Sequence, residues 1–227
     1  MGLLDLPPEL RLHIYAYIPS LTHLTSLTLS PSTAPTPPLT RTCRLLATET
    51  LPLYASTTLF SLHLDPDHPA FLPHWLDSLG PDGIANLTRL HLSRHWSASA
   101  PVRWQGHTGF YLRLLLLRDS PATARGGGWI CEAGTYPVAR DRRAMRVESV
   151  ELLVRNVEQR LLGRMEGRRE RGLRRRDLED AAEAMRVVGE LPMPELELGL
   201  EEVQARRRRE VWGAMEAELG RVFGLEG

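Results

Sequence analysis

Charge is spread so unevenly along this chain that it limits what each half can fold into. Residues 1–113 hold 7 Arg, 7 acidic residues and all eight His, whereas residues 114–227 hold 21 Arg, 21 acidic residues and no His. Each half is neutral, as is the whole. Charged side chains are costly to bury, so the dense half reads as amphipathic helices with solvated faces and the sparse half as the packed portion. A neutral chain has no global field to steer it toward nucleic acid or an anionic membrane. The Gly-rich stretch at 125–128 lies near the change and reads as a loop. With 227 residues, 42% of them hydrophobic, the chain can bury a sizeable core.

All 28 basic residues are Arg. Lys, Ile and Asn have AT-rich codons and all are scarce or missing, so a GC-rich gene accounts for the pattern. A surface without Lys also offers ubiquitin no side-chain acceptor. Cys43 and Cys131 are too few for a disulfide framework and have no metal-ligand spacing. The N-terminus lacks the basic region of a signal peptide, and position 6 is Leu, which fails the myristoylation pattern. The expectation is an intracellular protein of cytoplasm or nucleus, not secreted.

Hydrophobic spacing outlines the elements. Pro7 and Pro8 open a helix carrying Leu6, Leu10, Ile14, Tyr17 and Ile18 at helical spacing, and Pro19 stops it. Residues 30–38, rich in Ser, Thr and Pro, form a loop or insertion. A second helix covers about 39–54, with Leu39, Cys43, Leu46 and Thr50 on one face. Residues 57–64 and 87–92 read as strands, with a helix over 71–79 closed by Gly80 between them. The apolar run 111–118 fits strand or helix, and 129–138 a strand or hairpin. In the C-terminal third, Val147, Val150, Val154, Val157 and Leu161 mark one helix. Leu178, Ala181, Met185 and Val188 mark a second, capped by Asp177 and broken by the Leu-Pro-Met-Pro segment at 191–194. Val203, Val211, Met215, Leu219 and Val222 mark a third.

Two blocks carry a resemblance. Residues 3–15 (LLDLPPELRLHIY) resemble the opening helix of F-box and F-box-like proteins, where Leu-Pro-x-Glu-Leu precedes an amphipathic helix. Residues 40–54 (TRTCRLLATETLPLY) are similar to the second block of F-box-like proteins abundant in filamentous fungi. The resemblance covers about residues 3–92. The interval from Pro8 to Cys43 is longer than in typical F-boxes, and no Trp lies just after the second block. The resemblance implies an adaptor that docks a Skp-type subunit of a cullin–RING ubiquitin ligase and holds an unknown protein substrate. Carried over by position, Leu6, Pro7, Leu10, Ile14 and Ile18 form the docking face, with Leu39 and Cys43 supporting it. The same residues would equally suit the chain's own core.

Other chemistry is weaker. His63, Asp65, Asp67, His68 and His74 are dense in potential ligands but lie across three prolines in no known metal spacing, so no metal site is assigned. His91 and His95 are four apart but sit on a strand, not on a helix as in zinc proteases. No phosphate loop or nucleophile elbow is present, and no catalytic constellation emerges. The Arg runs 174–176 and 206–209 are flanked by acids that cancel their field beyond about 8 Å, which disfavours nucleic-acid binding.

The expected fold is α+β: an F-box-like helical region over 1–55, a mixed strand and helix region over 56–140 with a small irregular sheet, and C-terminal amphipathic helices over 141–227 packed on it. The expected function is a protein-interaction module, a substrate adaptor of a ubiquitin ligase, with no cofactor and no enzymatic activity. The alternative is a nuclear nucleic-acid-associated protein using its Arg-rich helices.

Overall fold

Two strand–helix–strand units make three strands of a five-stranded sheet. The computed structural model describes residues 2–22, 26–31, 36–95, 108–117, 128–137, 159–161, 163–164, 172–190, 210, 213–214 and 217–223. Strands β1 (Ser26–Leu29), β2 (Leu59–His63) and β3 (Arg89–His95) are parallel neighbours. β4 (Thr108–Leu117) and β5 (Gly128–Pro137) then add antiparallel, so spatial order equals chain order. The crossovers are helices α2 (Arg44–Thr57) and α3 (Phe71–Ala85), as parallel pairing requires. The fold is therefore mixed α and β, with a regular sheet where a small irregular one was expected. The first region, expected to be helical, contributes β1 to it.

Alternation along the strands decides which face is covered. Phe60, Leu62, Leu90, Leu92, Leu112, Leu114 and Cys131 point to one side and are buried. Tyr54 of α2 and Trp75 of α3 both pack on Phe60, with ring centres 5.1 and 5.2 Å away. Helix α4 (Arg175–Glu190) covers the same face further along, where Gly189 lies against Arg94 of β3. All three helices thus sit on one side. Leu178, Ala181, Met185 and Val188, the residues whose spacing marks the helix, are buried there.

Several boundaries differ for local reasons. Asp177 is not the cap residue of α4: it sits in the first turn and accepts the backbone N–H of Arg174 at 2.9 Å, half of a reciprocal capping box. The helix over 71–79 closes at Gly80 as its spacing predicts, but a second helical stretch follows directly. Gly80 takes φ 65° and ψ 176°, and helical structure resumes beyond it to Ala85. The second predicted helix starts later, after a 3-10 turn (Pro38–Arg41), and runs through Pro52 to Thr57. Residues 111–117 of the apolar run lie in strand β4. Residues 147–157 and 203 lie outside the described residues, while Leu161, Leu219 and Phe223 are buried. No helix among the described residues is long and apolar enough to cross a membrane.

Candidate functional site

Helix α1 (Pro8–Tyr15) begins where proline can serve: Pro8 occupies the first turn, whose N–H groups have no intrahelical partner. Its two buried residues are Arg11 and Tyr15, the latter with its ring in the core and only its hydroxyl engaged as a polar group. The two stand one turn apart and both reach Glu49 on α2. Arg11 donates to both carboxylate oxygens, Nε to Oε2 at 3.0 Å and Nη2 to Oε1 at 2.5 Å. Its Nη1 donates to the carbonyls of Leu4 and Leu6, and the Tyr15 hydroxyl donates to Glu49 at 2.9 Å. One guanidinium thereby ties the N-terminal turn, α1 and α2 together in a bidentate ion pair.

The electrostatics follow from that geometry. The Arg11 hydrogen bonds hold the Glu49 carboxyl below its ordinary range, helped by the Tyr15 hydroxyl and opposed by burial. Burial pushes the Tyr15 phenol up, and the carboxylate adds to it. Glu49 is thus a charged acceptor at neutral pH.

With its inner face taken by Arg11 and Tyr15, α1 turns its apolar residues outward. Leu10 is 52% exposed, Ile14 40% and Tyr17, just beyond the helix, 74%. They stand at i, i+4 and i+7, a single ridge. Leu4 (50%) and Leu45 (44%) are exposed nearby, the first on the turn bound by Arg11 and the second one turn before Glu49 on α2. The residues carried over from the family separate into two groups. Pro7, Leu10 and Ile14 face outward, whereas Ile18, Leu39 and Cys43 are half-buried against the core. Leu6 is half-buried, with its carbonyl accepting from Arg11. Sequence spacing found the ridge but not what anchors it, because nothing local marks Glu49 as the partner of residues 34 and 38 positions earlier.

The face of the sheet opposite α2, α3 and α4 carries the second group of polar side chains. Register aligns Thr28, Ser61, His91, Arg113 and Glu132 across all five strands. The adjacent row runs His63, Ser93, Tyr111, Gly134. Ser61 Oγ lies 3.4 Å from His91 Nδ1, and Ser93 Oγ 3.2 Å from His63 Nδ1. Tyr111 meets His91 edge-on at 5.3 Å, and Arg113, paired with Glu132 at 3.1 Å, sits over the Tyr111 ring. Burial pushes both imidazoles below their usual value, with His95 adding for His63 and Arg113 for His91. Among the described residues neither ring hydrogen-bonds the carboxylate that would orient a catalytic base.

The remaining sequence candidates scatter. Asp67, His68 and His74 border a shallow cavity of about 410 Å³ with Pro31 and Phe71, and His63 points elsewhere. No three His, Cys, Asp or Glu side chains among the described residues are grouped to hold a metal ion. Neither Cys43 nor Cys131 is in a disulfide. Arg175 is held by Asp77 of α3 and by Glu179, and the exposed Arg176 stands 3.8 Å from Asp180, so acids accompany both arginines. The run 206–209 lies outside the described residues. Comparison of the chain with protein-family models, curated proteins and solved structures finds no match.

Proposed function

We propose that the chain is a protein-interaction adaptor whose N-terminal helix docks a Skp-type subunit of a cullin–RING ubiquitin ligase, leaving the rest of the molecule to hold a protein substrate. The observation that carries this reading is the outward ridge of Leu10 and Ile14 on α1, continued by Tyr17 just beyond it, while the buried Arg11 and Tyr15 of the helix are tied to Glu49. Water is a poor environment for three large apolar side chains in a row, and a partner covering them gains about 1–2 kcal/mol for each. A helix laid into an apolar groove reads such i, i+4, i+7 anchors directly. The two sequence blocks at 3–15 and 40–54 supply the identity of the partner. A lysine-free adaptor also suits a place beside a ubiquitin-charged enzyme, where it escapes modification of its own side chains.

Calorimetric titration of the full chain with a purified Skp-type subunit tests the reading. Saturable one-to-one binding is expected, weakened at least tenfold by Tyr17→Arg. Absence of heat at tens of micromolar protein would remove the adaptor role.

A further inference from the structure

The sheet brings together two histidines that the sequence keeps far apart. His63 ends β2 and His95 ends β3. The parallel register sets His63 opposite Ser93, so His95 is its diagonal neighbour on the face opposite the helices. The two rings lie 4.2 Å apart between centres and are inclined by 50°. Ser93 Oγ at 3.2 Å engages Nδ1 of His63, which leaves Nε2 to present a lone pair when Nδ1 carries the proton. His95 is exposed, so an ion can reach the pair from solvent.

We propose that His63 and His95 form a cross-strand chelate for a borderline divalent transition-metal ion of the Zn²⁺, Ni²⁺ and Cu²⁺ class. Imidazole nitrogen suits these ions, whereas Mg²⁺ and Ca²⁺ require oxygen ligands. Two imidazoles on one ion with metal–nitrogen bonds of about 2.0–2.1 Å place their ring centres roughly 4.6–5.3 Å apart at right-angled to tetrahedral geometry. Opening from the observed separation asks each ring to move by only about 0.2–0.6 Å on that geometry. Ser93 is the outer partner that orients His63, the role hydroxyl or carbonyl groups play behind histidine ligands. With two protein ligands, water completes the coordination, which makes the ion exchangeable and not a structural one.

The test is titration of the full chain with zinc chloride, followed through the histidine side-chain resonances by NMR. One equivalent of Zn²⁺ should shift the His63 and His95 rings together and saturably. His95→Ala, a change at an exposed position checked for fold by circular dichroism, should weaken binding by about tenfold or more. His68→Ala and His74→Ala should leave it unchanged. No saturable shift at millimolar Zn²⁺ would overturn the proposal. So would unaltered affinity in His95→Ala, or loss of binding in His68→Ala. Adaptor binding plays no part in any of these readouts.

Discussion

At the scale of single residues, Glu49 has the widest reach. Its carboxylate accepts from Arg11 and Tyr15 at once, and those hydrogen bonds hold its pKa below the ordinary 4.5. A depressed carboxyl contributes stability that is present above its unfolded pKa and is lost as pH falls through the folded one. Glu49→Gln should therefore be less stable than wild type at pH 7. The gap should close as pH falls from about 4.5 downward, and thermal denaturation at a series of pH values measures it. A constant gap down to pH 2 would mean that the charge on Glu49 contributes nothing. Gly80 makes the other sharp residue-scale case. Its φ of 65° with ψ of 176° lies in a region only glycine occupies comfortably, yet a Cβ there would touch nothing within 4 Å. The cost of a side chain is thus purely backbone, about 1–3 kcal/mol for Gly80→Ala. Asn, which tolerates the left-handed helical region, gives no relief because ψ is wrong for it, so urea denaturation should find Gly80→Asn as weak as Gly80→Ala.

Among the elements, α4 was the most legible in sequence and still held a surprise. Leu178, Ala181, Met185 and Val188 mark its buried face by spacing alone, because a helix that covers a sheet needs an apolar stripe at 3.6-residue period. The stripe says nothing of Gly189, whose reason lies on another element. A Cβ there would stand 2.5 Å from Nε and 2.9 Å from Cδ of Arg94, a buried side chain that passes under the helix toward Glu190. Ala normally favours a helix over Gly by up to about 1 kcal/mol, but here Gly189→Ala should destabilise by about 1–3 kcal/mol through overpacking. A stabilised Gly189→Ala in chemical denaturation would show that Arg94 has room to move. The strands fared by the same logic. β2 and β3 alternate and are readable, whereas the apolar run in β4 has no period and is settled only by pairing with β3 and β5. Short β1, only four residues long, owes its place to β2 and carries little signal of its own.

For the whole molecule, helices α2, α3 and α4 gather on one face of the sheet and α1 is fastened to α2 by a polar linkage, with Leu10 and Ile14 left exposed on α1. Sequence spacing located Leu10 and Ile14 but could not tell a docking face from a core face, since both demand the same residues at the same period. Burial is what separates them: Ile18, Leu39 and Cys43 join the core and the other two do not. That difference makes one experiment decisive for the central claim, a pull-down of a purified Skp-type subunit by wild type beside the Leu10→Glu, Ile14→Glu double variant. Both positions are exposed, so circular dichroism and thermal denaturation should find the variant folded, with a change of about 0.5 kcal/mol or less at each site. The account predicts capture by wild type and none by the folded variant. Unfolding of the variant would make those residues core, and equal capture by both proteins, or by neither, would deny the ridge its partner.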